Sequence, residues 1–82
     1  MNQNLAMMKV RRMELVERQT SLRMKAKTLC RTIPYQINPA LMEIERMQIA
    51  EAANSMDELV MTQAELLAIA NQIADLEEAL GN

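Results

Sequence analysis

The most regular pattern of hydrophobic positions in the chain runs from Met56 to Leu80. Small or apolar side chains recur there at alternating steps of three and four residues: Leu59, Thr62, Leu66, Ile69, Ile73, Leu76 and Leu80. This spacing places one residue per turn on a single face of an α-helix. Val60, Leu67, Ala70 and Ala74 widen that face. The pattern predicts a helix that buries one side against a partner helix.

A second helical pattern begins at Leu5. Four large apolar residues lie seven apart, as in a coiled-coil seam: Met8, Leu15, Leu22 and Leu29. The companion positions of that seam are Leu5, Arg12, Gln19, Ala26 and Ile33, of which two are polar. The first helix is therefore predicted to have a less apolar face than the second.

The stretch between the two patterns is predicted to be a turn. Pro34 cannot donate a backbone hydrogen bond, and it disfavours helical geometry at Ile33. Asn38 followed by Pro39 is typical of a helix start, with a capping side chain and then a proline at the first helical position. The sequence therefore predicts a single domain, residues 1–82, with a helix over 5–31, a turn over 32–38 and a helix over 39–80.

The second helix has one weak point, at residues 54–55. Ser55 and Glu58 match the capping box that begins many helices. Two alternatives stay open there: one long helix with a kink at 54–55, or a break that makes three helices. A short connector between long helices returns the chain antiparallel. The predicted fold class is all-α, an antiparallel, coiled-coil-like helical hairpin that self-associates, with a three-helix bundle as the alternative.

The predicted turn also implies a register. A turn centred between residues 35 and 36 places residue i opposite about residue 71−i in an antiparallel pair. The first helix then ends opposite Leu66, and residues 71–80 project without a mate. An exposed apolar helix end needs a partner. The predicted oligomerisation and partner-binding residues are therefore Leu59, Leu66, Ile69, Ile73, Leu76 and Leu80.

Chain length supports the same expectation. An 82-residue chain buries a modest core, and small domains usually add disulfides, metal or self-association. This chain has one cysteine and no histidine, so self-association remains. We expect a homo-oligomer, with a dimer as the simplest state, and a further protein as partner.

Composition narrows the core. Half of the residues are hydrophobic, nine are methionine, and Tyr35 is the single aromatic residue. Methionine fills irregular gaps in cores, and it also forms adaptable binding surfaces. Both readings of this methionine-rich sequence stay open. Tyr35 and Ile37 are expected either to close the turn as a hydrophobic clasp or to form a recognition tip.

Charge is divided unevenly between the two halves. Residues 1–38 hold eight basic groups against Glu14 and Glu17, whereas residues 39–82 hold Arg46 against nine acidic groups. The simplest interpretation is that a basic helix lies beside an acidic one. The alternative is that the basic helix contacts nucleic acid or another anionic surface. The residues that would do so are Lys9, Arg11, Arg12, Arg18, Arg23, Lys25 and Lys27.

Residue types exclude several chemistries. Without histidine there is no His-based triad or His metal site, and Gly81 alone makes no phosphate-binding loop. One cysteine provides no Cys pair for zinc or thiol exchange. We therefore expect no enzymatic activity, no catalytic residues, no metal and no cofactor. Cys30 is expected to be a small, buried or half-buried hydrophobe, with a reactive thiol or an intermolecular disulfide as the alternative.

The sequence thus predicts a non-enzymatic protein–protein interaction module, such as an adaptor, inhibitor, chaperone or assembly subunit. The alternative is a hairpin dimer that binds nucleic acid through its first helix. No apolar stretch approaches the roughly 20 residues of a membrane span, and a lone cysteine without a visible signal peptide favours the cytoplasm. Helix–Asn-Pro–helix hairpins occur in several unrelated small bacterial and phage proteins, a resemblance too generic to assign residue roles.

Overall fold

The chain forms an antiparallel helical hairpin. The computed structural model describes the backbone of residues 2–81 and the side chains of residues 4–81. It contains α1 (Asn2–Gln36), a single 3₁₀ turn (Ile44–Arg46) and α2 (Ile49–Ala79). α1 and α2 pack against each other, and there is no β-strand between residues 2 and 81. The predicted all-α hairpin fold is confirmed. We call the end at residues 37–48 the tip and the opposite end the base.

The buried face of α1 follows the predicted seam. The α1 side chains that are buried or half-buried occur at alternating steps of three and four: Met8, Arg12, Leu15, Gln19, Leu22, Ala26, Leu29, Ile33 and Gln36. Leu5, which the seam pattern also includes, is exposed at the base. The regular spacing of the rest shows that one stripe of α1 faces α2 along almost its whole length.

The buried face of α2 follows the predicted stripe. Its buried and half-buried positions include every member of the stripe from Leu59 to Leu80 and extend it towards the tip through Ala52 and Ser55. Thr62 is only 3% exposed, and its hydroxyl donates a 2.7 Å hydrogen bond to the carbonyl oxygen of Glu58. A polar side chain is tolerated in the seam because it is satisfied within its own helix.

The predicted end of the first helix at Arg31 is wrong. α1 continues to Gln36 and contains Pro34. A proline in the last turn removes only one backbone hydrogen bond, and Ile33 falls on the seam one turn after Leu29. Packing of that face outweighs the local preference of residues that precede proline.

The predicted start of the second helix at residue 39 is also wrong. Asn38 forms a local turn, in which its side-chain oxygen accepts from Ala40 N–H at 2.9 Å and its carbonyl oxygen accepts from Leu41 N–H at 3.0 Å. Such a side-chain turn competes with helix formation. α2 begins at Ile49, where the backbone N–H of Gln48 donates to the carbonyl oxygen of Gln36 at 3.1 Å and closes the connector.

α2 is one helix. It runs from Ile49 to Ala79 without interruption at residues 54–55, so the three-helix alternative is wrong. Ser55 lies half-buried on the seam face, in the helix interior rather than at a cap. The stop at the other end matches the sequence, since Gly81 adopts φ of 79° and its N–H donates to the carbonyl oxygen of Glu78.

The register differs from the expected one by about 15 residues, because both helix boundaries at the tip lie further along the chain. Three ion pairs join the helices: Arg12 with Glu77, Arg18 with Glu65, and Lys25 with Glu58. In each pair the residue numbers add to between 83 and 89. Residues 71–80 therefore lie against the first part of α1, and the predicted unpaired overhang does not exist.

The hairpin is long and thin. It measures 63 × 17 × 14 Å, with a radius of gyration of 18.5 Å. A compact chain of this length has a radius of gyration of about 12 Å. The continuous core consists of Leu15, Leu22 and Ile69, with Leu66, Ile73 and Leu76 packed against it. Two helices can cover only one side of each other, so most other apolar side chains stay at the surface.

Candidate interaction surface

The predicted partner-binding stripe lies inside the hairpin. Ile69 is a core residue, and Leu66, Ile73 and Leu76 pack against it together with α1. Leu59 and Leu80 are half-buried on the same face. The hydrophobic pattern assigns this stripe to a partner because it predicts that residues 71–80 project beyond α1. With that overhang absent, these six residues form the intramolecular seam.

The basic residues of α1 divide into two groups. Arg11, Arg12, Arg18 and Lys25 form salt bridges with Glu14, Glu77, Glu65 and Glu58, respectively. Lys9, Arg23 and Lys27 form no salt bridge with any residue that the structure describes. More than half of the predicted anion-contacting residues are thus engaged with acidic groups of the same chain.

One side of the hairpin, which we call the closed flank, is covered by ion pairs. Arg18 Nη2 lies 3.0 Å from Glu65 Oε1, and Arg18 Nε lies 3.1 Å from the same atom. Two helical turns nearer the tip, Lys25 Nζ lies 3.5 Å from Glu58 Oε1. These residues occupy the heptad row beside the seam on each helix. Antiparallel coiled coils use this row for charge pairing, so the closed flank fixes how α1 and α2 align.

The opposite side, which we call the open flank, is mainly apolar. It consists of the other row beside the seam, namely Val16, Arg23 and Cys30 on α1 and Met56, Gln63 and Ala70 on α2, together with Val60 and Leu67 at its edge. Near the tip it forms a groove lined by Ala26, Cys30, Met56, Leu59, Val60, Gln63 and Leu66. At the base it ends at the Arg12–Glu77 pair, in which Arg12 Nη2 and Glu77 Oε1 are 2.7 Å apart.

Large apolar side chains of the open flank are highly exposed. Val60 is 59% exposed and Leu67 is 62% exposed, and Met56 beside them is 46% exposed. Val60 and Leu67 lie seven residues apart, as do Met56 and Gln63, so the row continues along the helix. Exposed apolar side chains clustered in this way are typical of interaction surfaces. The sequence signal was present, because Val60, Leu67, Ala70 and Ala74 widened the predicted stripe.

A second apolar area lies on the outside of α1 near the base. Met7, Val10 and Met13 are each more than half exposed, and Leu5 is 46% exposed. Charged side chains lie among them, at Lys9, Arg11, Arg12 and Glu14. Clustered exposed apolar side chains are nevertheless typical of interaction surfaces. This area therefore also favours association with another chain.

The tip is exposed rather than clasped. Tyr35 is 69% exposed, and Ile37, Leu41 and Ile44 are also exposed large hydrophobic residues. The expectation that Tyr35 closes the hairpin is wrong, because the connector is longer than predicted and Tyr35 lies within α1 on its outer side. Exposure is what the recognition-tip alternative requires.

The sulfur-containing residues lie mostly at the surface. Cys30 is exposed on the open flank. Of the eight methionines between residues 4 and 81, five are exposed: Met7, Met13, Met24, Met56 and Met61. This distribution favours the reading of methionine as part of an adaptable surface, and it removes the expectation that Cys30 is a buried hydrophobe.

Within residues 2–81 no group of three or more His, Cys, Asp or Glu side chains is placed to hold a metal ion. None of the described helices combines the length and the apolar character that crossing a bilayer requires. No protein-family model, curated protein or solved structure matches the chain.

Proposed function

We propose that this chain is a non-enzymatic protein–protein interaction module that self-associates by helix packing and acts as an adaptor or assembly subunit. The observation that carries the proposal is the imbalance between core and surface. Among the side chains that the structure describes, four hydrophobic residues are buried, whereas fifteen large hydrophobic side chains are exposed. A hairpin with this distribution is completed by further helices.

The solvent-exposed area of the chain shows how large this imbalance is. The chain exposes 6467 Å² at a mass of 9.4 kDa. A compact monomer of that mass exposes about 5,000 Å², so the hairpin carries an excess of about 1,500 Å². A dimer that removed this excess from both chains would bury about 3,000 Å² in total, which is the size of an obligate homodimer interface. Self-association through helix faces is therefore supported by area as well as by residue type.

The absence of histidine from the sequence supports a non-enzymatic role, since the commonest acid–base residue is missing. The single cysteine supports a reducing compartment, and cytoplasmic location is part of the proposal. Neither point bears on which protein is bound. The exposed methionines on both helices fit a surface that adapts to its partner.

The nucleic-acid alternative has less support. Arg11, Arg12, Arg18 and Lys25 face acidic groups, which lowers the positive potential available to phosphates. Arg23 and Lys27 lie one turn apart and carry the remaining basic row. If this alternative were correct, α1 would bind labelled duplex or RNA at low salt, and Arg23→Glu with Lys27→Glu would abolish the binding. No binding by the wild-type chain would exclude it.

The proposal is tested by sedimentation velocity over a wide range of protein concentration. We expect a species heavier than the 9.4 kDa chain, and a melting temperature that rises with concentration, because association stabilises the folded state by mass action. A folded monomer at every concentration, with a concentration-independent melting temperature, would contradict the proposal.

A further inference from the structure

We infer that the open flank binds a second copy of this chain. In this dimer both tips lie at the same end of a four-helix bundle, and α1 of each hairpin packs against α2 of its partner. The inference rests on the self-association proposed above and specifies its surface and geometry.

The open flank carries a second seam with helix-packing spacing. On α2, alternating steps of three and four residues join Met56, Val60, Gln63, Leu67, Ala70 and Ala74, all of them exposed. On α1 the same spacing joins Met13, Val16, Thr20, Arg23, Lys27 and Cys30, also exposed. α2 therefore presents a second, mainly apolar stripe on the open flank, and α1 presents a mixed one in which Thr20, Arg23 and Lys27 are polar. This is the pattern of helices in a four-helix bundle, where every helix has two neighbours.

Symmetry leaves two arrangements for two hairpins that meet through this flank. A two-fold axis along the rod brings α1 beside α2 of the partner subunit and keeps both tips at one end. A two-fold axis across the rod brings α1 beside α1 and α2 beside α2, with the tips at opposite ends. Both arrangements are isologous, so both bury the same flank twice.

Charge decides between the two arrangements. α1 holds eight Lys and Arg residues against two Glu residues, whereas α2 holds seven acidic residues and no basic one. An axis along the rod alternates basic and acidic helices around the bundle. An axis across the rod places basic helix against basic helix and acidic against acidic. Like-charge juxtaposition disfavours a mode of association, so the axis along the rod is selected.

The arrangement with the axis along the rod also brings compatible side chains together, if α1 meets the partner's α2 at the same register as its own α2. Across the new contact, Lys9 lies level with Glu77 of the partner subunit, and Val16 lies level with the partner subunit's Ala70. Arg23 meets the partner subunit's Gln63. At these three levels a positive charge meets a negative or neutral polar group, or an apolar side chain meets an apolar one. Between them, Thr20 lies level with the partner subunit's Leu67, and Lys27 lies level with the partner subunit's Val60.

The size of the excess exposed area favours a second copy of the chain as the partner of the open flank. The excess exposed area of each chain, about 1,500 Å², equals what one subunit contributes to an obligate homodimer interface. A second hairpin also has the same 63 Å length as the flank that it would cover. A short peptide would leave much of the flank exposed.

The geometry is tested by disulfide cross-linking of the full chain. The background is Cys30→Ser, and the test variant adds Thr20→Cys and Leu67→Cys. Both positions are exposed, so the substitutions leave the core intact. They point away from the seam within one hairpin but lie level with each other across the inferred contact. Mild oxidation with copper–phenanthroline is followed by a non-reducing gel and by sedimentation.

We expect the double variant to form a covalent dimer, and the variants with Thr20→Cys alone or Leu67→Cys alone to form little. Cross-linking of Thr20→Cys alone would overturn the inference, because Thr20 lies near the middle of the rod and meets its own copy when the axis runs across. A dimer in sedimentation that cross-links in none of the variants would also overturn it, while the proposed function stands. A monomer in sedimentation removes the proposed function itself.

Discussion

The two flanks of the hairpin are built from the same two helices and differ in what they do. The closed flank pairs Arg18 with Glu65 and Lys25 with Glu58. The open flank places Met56 and Val60 at the surface. Both flanks border one seam, so their difference arises from which residue type the sequence puts in each neighbouring row. Charge on one side directs the two helices to each other, and apolar surface on the other side is available for the proposed second copy.

This comparison separates two kinds of interaction. The intramolecular pairing uses a thin core and solvent-exposed ion pairs, which contribute specificity more than stability. The proposed intermolecular contact would use area that the hairpin alone cannot cover. Changes in the core should therefore unfold the chain, changes on the open flank should dissociate it, and changes on the closed flank should do little.

The largest effect is expected in the core. Leu22 is 3% exposed, and Leu22→Ala should lower the free energy of unfolding by about 2–5 kcal/mol, because it removes buried apolar atoms and leaves a cavity. Urea unfolding followed by circular dichroism at fixed protein concentration measures it. The matched control is Met24→Ala on the outside of α1, which should change stability by about 0.5 kcal/mol or less. Equal effects would mean that α1 presents a different face to α2.

The next effect is expected on the open flank. Val60→Asp with Leu67→Asp should weaken the dimer at least roughly a hundredfold, since two apolar side chains per subunit are replaced by carboxylates that resist desolvation. The dissociation constant from sedimentation equilibrium is the readout. Helical content at high protein concentration shows whether the hairpin itself persists.

A matched control lies one residue further along the same helix. Met61→Asp with Ala68→Asp adds the same charge at exposed positions that face away from the open flank. We expect this variant to keep the wild-type dissociation constant within a few-fold. If both double variants dissociate the dimer equally, added negative charge rather than the open flank is responsible.

A smaller effect is expected at the base. Arg12 donates from Nε and Nη2 to one oxygen of Glu77, at 3.1 and 2.7 Å. A double-mutant cycle with Arg12→Ala and Glu77→Ala should give a coupling of about 1 kcal/mol, because both side chains are partly buried yet still more than a third exposed and screened by solvent. A coupling near zero would show that this pair does not hold the base of the hairpin closed.

The smallest effect is expected on the closed flank. A cycle with Lys25→Ala and Glu58→Ala should give about 0.3 kcal/mol, since the 3.5 Å pair is half exposed on both sides. The coupling should fall further in high salt, where exposed charges are screened. A value larger than that of the Arg12–Glu77 cycle would reverse the ranking that burial gives.

The sequence predicts the faces of the helices well because hydrophobic spacing encodes them directly. The seam positions from Met8 to Ile33 and from Leu59 to Leu80 are all buried or half-buried in the structure. The sequence predicts the bounds of the connector between the helices poorly. Pro34 and Asn38-Pro39 are local signals, and the packing of Ile33 on α2 and the side-chain turn at Asn38 outweigh them.

The error at the connector explains the error at the site. Moving the turn towards the C-terminus gives residues 71–80 a mate in α1, and the best apolar stripe becomes internal. Periodicity shows that a stripe is buried but does not show which chain buries it. The proposed contact with a second copy instead uses residues beside the stripe, Val60 and Leu67 above all, because the hairpin leaves them uncovered.

Small-angle X-ray scattering of the wild-type chain tests the central claim most directly, because it reports mass and length together. Side-by-side packing through the open flank predicts twice the 9.4 kDa chain mass with a maximum dimension close to the 63 Å of one hairpin. A particle of monomer mass, or a dimer about twice as long as the hairpin, would contradict the claim that the open flank is covered by a second copy.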